Sequence, residues 1–351
     1  MNLRAPRNLF EQFKNEQAGD AFRKFISELK PDIVHFYHFL GFSISPLQIC
    51  AELGLPICVT LQDEWILCEQ LFYLQPDGSF CSGPENIEKC VRCFEGRHPE
   101  TQLHKNQDYI TQVFSLRRKV LQEAVSFVDK LFVPSRFLYD ELQRHGFSNP
   151  NTTVMPLGLN AFKPMKRESQ TGLTRISYLG NINALKGLDI VIQALNIINA
   201  QNIQLNIFGN VQDQNYFNQV MQNNLKPQQV RYCGQYTPED LPSILSKTDV
   251  AVVPSRSESY SFVVRECFHA GVPVIASNVG GIPEVIKTNE NGLLFEPGNY
   301  QDLATKLMLV LQNPKMLMKF RKNIKPMRTI AEDAEQLEVI YRKILAESKF
   351  K

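Results

Sequence analysis

No stretch of this 351-residue chain reaches the roughly 18 consecutive apolar residues of a membrane-spanning helix. The opening residues, MNLRAPRNLFEQFKNEQ, lack the apolar core of a secretory leader. Charge of one sign is lacking too. Lys and Arg number 38 against 36 Asp and Glu, a net charge of +2, which is too small to argue for nucleic acid. No short fixed repeat and no low-complexity tract stands out. No Asp-x-Asp pair lies near the strand ends, so no catalytic divalent metal is expected. What is present is ordinary globular composition, 43% apolar and 21% charged, in a chain long enough for two cores. A cytoplasmic protein is the expectation.

Short apolar runs recur at 32–37, 57–61, 130–135, 152–157, 175–180, 204–209, 249–255 and 272–277. Most are β-branched or aromatic with little polar alternation, as in strands buried on both faces of a parallel sheet. Helical stretches such as LDIVIQALNIINA (188–200) alternate with them, which predicts a doubly wound α/β architecture. From Asn160 to Gly172 the chain is polar and without strand period. The domain boundary is therefore placed at 1–158 and 159–330. A last helix within 331–351 suits either domain, including packing back on the first.

The segment Ser255 to Glu284 concentrates the chemistry. A strand ends at Pro254-Ser255, a polar loop carries Arg256 and Glu258, and a helix begins near Ser261 with Gly271 as its stop. Glu258 thus falls at the carboxyl edge of the sheet, where open α/β sheets bind ligands. The helix start aims its free amides and positive dipole end at the same place, which suits a diphosphate. Glu266, about one turn into the helix, can accept bonds from two vicinal hydroxyls. Gly280-Gly281 follows the next strand, where backbone must come close. A solvated surface pair is the bland alternative for two glutamates, and this surrounding pattern argues against it.

On these residues the chain resembles retaining glycosyltransferases of family 4 (glycosyltransferase group 1). The shared pattern is Glu258, seven residues and Glu266, then Gly271-Val272-Pro273-Val274 and Gly280-Gly281-Ile282-Pro283-Glu284. The resemblance implies the GT-B fold, two Rossmann-like domains facing a cleft. By it, Glu258 would hold the donor sugar and Glu266 the ribose, with the Ser261–Phe262–Val263 backbone and Ser255 at the diphosphate. The family often has glycine where this chain has Ser259 and Ser261.

YLGNINALKG (178–187) is a second match: Gly180 ends a strand and Lys186-Gly187 follows, where the family places two cations on the leaving diphosphate. Lys186 fits, while the arginine position is Asn181; Arg256 is a candidate substitute, and Gly209, ending another strand, a further donor-side glycine. In the first domain, DIVHFYHFLG and VTLQDEWILC resemble acceptor-facing loops. They offer His35 as a catalytic candidate, against the bland reading of a satisfied core histidine, and His38, Gln62 and Asp63 on the acceptor side. Gln62 stands where the family often has a titrating His. The family's opening strand and glycine-rich loop are not found before DIVHFY. A first domain of about four strands, incomplete or reduced, is expected in place of six or seven.

The implied activity is retaining transfer of a sugar from a nucleotide-diphosphate donor to a glycan, lipid-linked glycan or polysaccharide precursor. A lipid-linked acceptor would be compatible with peripheral attachment at the inner face of the membrane, although no basic amphipathic patch demands it. A catalytically impaired sugar-nucleotide-binding protein and a GT-B epimerase are the rival readings. No cofactor is expected for catalysis. Cys68, Cys81, Cys90 and Cys93, ending in a Cys-x2-Cys pair, have the makings of a tetrahedral structural zinc site stapling a long loop; reduced, unligated thiols are the alternative. Cys50, Cys58, Cys233 and Cys267 sit in apolar segments and read as small buried hydrophobes.

Overall fold

The computed structural model describes residues 10–11, 13–98, 107–168 and 172–348. The chain divides into two compact units, Met1–Pro156 with Ala331–Lys351, and Leu157–Ile330. No helix among the described residues is long and apolar enough to cross a membrane.

The first unit holds a parallel sheet of β1 (Val34–Phe36), β2 (Ile57–Thr60), β3 (Lys130–Val133) and β4 (Thr152–Val154), in that spatial order. Four strands is the number the sequence pattern predicts for it. Period-two alternation sorts the side chains. Ile57, Val59, Leu131 and Val133 enter a large core with Phe22 and Ile26 of the Glu16–Leu29 helix. Cys58 and Phe132 point the other way and meet Met155 and Leu337, with Ile340, Tyr341 and Ile344 beside them. The helix Ile330–Ser348 therefore covers the second face of this sheet.

The second unit is a six-stranded parallel sheet: β5 (Thr174–Leu179), β6 (Ile203–Phe208), β7 (Val230–Gly234), β8 (Val250–Val253), β9 (Val274–Ser277) and β10 (Gly292–Phe295), in the order β10-β9-β8-β5-β6-β7. The pattern of apolar runs missed β7 and β10, and both are edges. In β7 the continuous apolar signature is lost, with Arg231, Tyr232 and Cys233 exposed; β10 is apolar and largely buried but only four residues long. The chain winds outward from β5 through β6 and β7, then returns to β8 on β5's other side. That reversal opens a crevice at the carboxyl ends of β5 and β8.

Candidate functional site

After β5 the chain reaches Gly180 (φ 134°) and a 3-10 turn, Ala184–Lys186, capped by the Asn183 carboxamide, which accepts from the Lys186 amide at 3.0 Å. After β8 it enters the loop of Ser255, Arg256 and Glu258. The two loops are laced together: the Arg256 amide donates to the Leu185 carbonyl at 2.8 Å, and Lys186 Nζ donates to Glu258 Oε1 at 2.5 Å. Ser255 Oγ donates to the same carboxylate oxygen at 2.9 Å. Lys186 and Glu258, singled out 72 residues apart, thus form one ion pair at the switch point.

Arg256 does not reach into this pair. Its guanidinium forks onto Asp189 at 2.9 and 2.7 Å and onto the Ala184 carbonyl at 2.6 Å. Burial works against the Asp189 charge, but the Arg256 bonds outweigh it and hold the carboxyl below the usual range; the Tyr216 hydroxyl adds a bond at 2.5 Å. The candidate substitute cation is spent on structure, and the exposed Asn181 adds no charge.

The helix Phe262–His269 opens on Ser261, whose φ of 60° is left-handed. This is the position where glycine is common in the family that the sequence resembles. The hydroxyl is buried and finds no hydrogen-bond partner, and it does not cap its own helix. Arg265 braces this turn from behind, donating to the Tyr260 and Ser261 carbonyls and stacking 3.3 Å over the Tyr260 ring. Phe262 is exposed and Val263 half-buried. Glu266 is half-buried, no cation pairs with it among the described residues, and burial raises its carboxyl. It is a carboxylate in want of hydrogen-bond donors.

Two glycines are there for close approach. A Cβ on Gly280 (φ 52°) would lie 1.5 Å from the Glu258 carbonyl oxygen, and the Gly281 amide donates to that oxygen at 3.2 Å. Gly280-Gly281 therefore seats the Glu258 loop. A Cβ on Gly209 would lie 1.8 Å from the Gly180 carbonyl oxygen, so Gly209 acts by letting the ends of β5 and β6 touch.

In the first unit His35 takes the bland role. Its Nε2 meets Thr60 Oγ1 at 2.8 Å, Nδ1 bonds the Tyr341 hydroxyl, and the ring stacks on Tyr37. Both ring nitrogens are thus occupied by hydroxyl partners, the arrangement of the satisfied core histidine weighed as the bland alternative. Burial lowers its pKa from 6.5 to about 4, so the unfolded chain takes up the proton first as pH falls. The stability it confers is complete above pH 6.5 and lost as pH drops toward 4. Urea midpoints of the first unit should fall across that window by roughly 2–3 kcal/mol equivalent, and His35→Gln should flatten the slope; an unchanged slope refutes the assignment.

His38 is held differently. The Leu40 amide donates to its Nδ1 at 2.8 Å, which leaves the proton on Nε2, 2.6 Å from Asp63 Oδ2. The other Asp63 oxygen accepts from the Trp65 amide at 2.9 Å. His38 and Asp63 are each about one-third exposed, with Gln62 half-buried beside them. This dyad ties together the loops that follow β1 and β2.

The four clustered cysteines line one cavity of about 40 Å³ in the first unit, and none of the eight in the chain is disulfide-bonded. Among the described residues no three His, Cys, Asp or Glu already converge as a metal-ligand set.

Asp189 and Arg265 were missed by sequence reasoning. Asp189, just inside a helix start, reads as an ordinary dipole partner, and its arginine lies 67 residues away. Arg265 left a trace: it sits at a buried helix position between Val264 and Cys267, where a charge needs a reason.

The family model for glycosyl transferases group 1 matches residues 162–327. Among curated proteins, the D-inositol 3-phosphate glycosyltransferase of Rhodococcus opacus is 27% identical over 215 residues, 56% of this chain and 48% of that protein. A glycosyltransferase of Methanocaldococcus jannaschii is 33% identical over 139 residues, 40% and 38% of the two chains. The chain spans about half the length of the curated relatives it matches, or less. Among solved structures, sucrose-phosphate synthase from Thermosynechococcus elongatus superposes with a TM-score of 0.73 at 20% identity, covering 98% of this chain and 81% of that one. HepE of Anabaena, in complex with UDP, gives 0.67 at 15% identity, covering 92% and 82%. At these identities the likeness is one of fold, and the two parallel α/β sheets are those of GT-B structures.

Proposed function

Because residues 162–327 match the family model for glycosyl transferases group 1, we propose that the chain moves a sugar from a nucleotide-diphosphate donor to a hydroxyl of a glycan or lipid-linked acceptor, with retention at the anomeric carbon. The observation that carries this reading is the grouping at the β5/β8 switch point. The Lys186–Glu258 pair joins the loops after β5 and β8, and the β8 loop runs into the Phe262–His269 helix, which carries the cation-free Glu266. In this reading Glu266 accepts from the ribose hydroxyls, whose O–H groups supply the donors it lacks. The amides at 261–263 and Lys186 take the diphosphate, and Glu258, held by Ser255, positions the sugar. As the bond from C1 to the diphosphate breaks, negative charge grows on the leaving oxygen, where Lys186 can stabilise it. The acceptor oxygen then bonds C1 on that same face, and its proton passes to the departing diphosphate. His38 and Asp63 are assigned to the acceptor, and no metal is assigned to the transfer step.

Calorimetry with UDP and with GDP tests the donor half. Glu266→Ala should weaken whichever nucleotide binds by about 1.5–3 kcal/mol, the worth of charge-assisted bonds. Unchanged affinity would refute the ribose assignment. One observation favours a second reading, a donor-binding protein with little turnover: with Arg256 locked on Asp189 and Asn181 uncharged, Lys186 serves the diphosphate without the second cation that the resemblance implies. Nucleotide binding without donor hydrolysis or transfer would select it.

A further inference from the structure

Residues 61–86, between β2 and the Ile87–Arg97 helix, carry no helix or strand beyond one bridge between Leu74 and Phe80. A loop of that length inside a compact unit needs something to hold it. Its own apolar contribution is thin at the tip, where Phe72 and Phe80 are exposed. What it does enclose is the cavity walled by Cys68, Cys81, Cys90 and Cys93. The remaining cysteines lie elsewhere: Cys50, Cys58 and Cys267 in apolar cores and Cys233 exposed on β7.

We propose that these four side chains bind one zinc ion as a tetrathiolate, and that the ion is the staple of the 61–97 loop. Cys90 and Cys93 are three apart in the eleven-residue helix Ile87–Arg97, so they share a face, with Cys90 at the end of its first turn, where a thiolate is favoured. Cys81 is brought to them by its amide bond to the Tyr73 carbonyl at 2.8 Å. Three of the thiols make only long contacts to loop carbonyls: Cys68 to Phe72 at 3.4 Å, Cys81 to Gly83 at 3.7 Å and Cys93 to Leu74 at 3.8 Å. Such S–H contacts are weak, and metal bonds can replace them at small cost. The cavity, about 40 Å³, has room for a single ion, and the four side chains, not converged as a ligand set in this structure, would close on it when it binds.

The charge balance is consistent. Four thiols and Zn²⁺ give a dianionic centre and release four protons. Two cations flank it. Arg117 is fully enclosed between the Trp65 carbonyl and Glu69, next to Cys68 and Cys90. Lys89 Nζ donates to Ser82 Oγ at 2.7 Å and to the Gly83 carbonyl at 3.1 Å, on the same wall. A buried arginine beside four neutral thiols has only Glu69 as counter-charge; beside a dianionic centre it is better matched.

The test is the metal content of the full chain purified without chelator. About one equivalent of zinc is expected. Cobalt exchange should give thiolate-to-metal charge transfer and the visible bands of a tetrahedral site. Cys90→Ser and Cys93→Ser should each lower retained zinc at least about tenfold, and Cys233→Ser should leave it unchanged. Should the serine variants fail to fold, chelation of the unaltered protein decides instead: metal removal should speed protease cleavage within 61–97. Zinc below about a tenth of an equivalent, disulfides among these four cysteines, or iron–sulfur absorption would each overturn the proposal. None of these readouts depends on nucleotide binding.

Discussion

Lys186→Ala should cost about 10²–10³ in transfer or donor hydrolysis at saturating donor, the usual price of removing one preorganised group from a developing anion. The loss should appear in kcat more than in KM, because the charge on the leaving oxygen is largest in the transition state. Stability should change little. Lys186 is only half-buried, its turn is capped by Asn183 through backbone, and Ser255 continues to hold Glu258. Lys186→Arg restores charge on a wider head and should fall between the two. Rates within about threefold of the parent would remove Lys186 from the leaving group. The ion pair with Glu258 would then be a structural tie between two loops and nothing more.

Gly280→Ala should be the most disruptive single methyl in the second unit. The new Cβ would stand 1.5 Å from the Glu258 carbonyl oxygen, well inside contact distance, and that partner is backbone with no rotamer to yield. Left-handed strain adds to the clash, so a loss of about 3–5 kcal/mol is expected. The Gly281–Glu258 bond would have to break to relieve it, moving the Glu258 loop away from Lys186. Urea unfolding and nucleotide titration of the same variant should therefore fail together. Gly298→Ala is the control: its φ is also left-handed, at 76°, but a Cβ there meets nothing within 4 Å. Equal losses for the two variants would show that backbone strain, and not contact with Glu258, sets the effect.

The legible parts of this protein were those that depend on near neighbours in sequence or on strands buried on both faces. The central strands β5, β8 and β9 announced themselves as apolar runs, and Glu258, Ser261 and Glu266 could be placed from a strand end and a helix start. The edge strand β7 could not, because a half-solvated strand does not need a continuous apolar pattern, and β10, apolar and largely buried, is a run of only four residues. The direction of Arg256 was illegible for a different reason. Its direction is set by Asp189 and Tyr216, on elements that only the sheet order brings together. His35 belongs with it: the Tyr341 hydroxyl that fills its Nδ1 lies 306 residues away. No local pattern carries such a partner.

That distance has a consequence for how the protein is made. The second face of the β1–β4 sheet, with Cys58, Phe132 and Met155, is covered by side chains from 337–344, which are synthesised after the whole of the second unit. Each apolar side chain so buried is worth about 1.5–3 kcal/mol, and none of that is available to a nascent chain. The second unit, continuous from Leu157 to Ile330, can complete its sheet first. The first unit, although begun earlier, must keep an apolar face uncovered until residues 337–344 have been made. For these two units the order of synthesis and the order of completion are therefore reversed, and the Ile330–Ser348 helix closes the unit that was begun first.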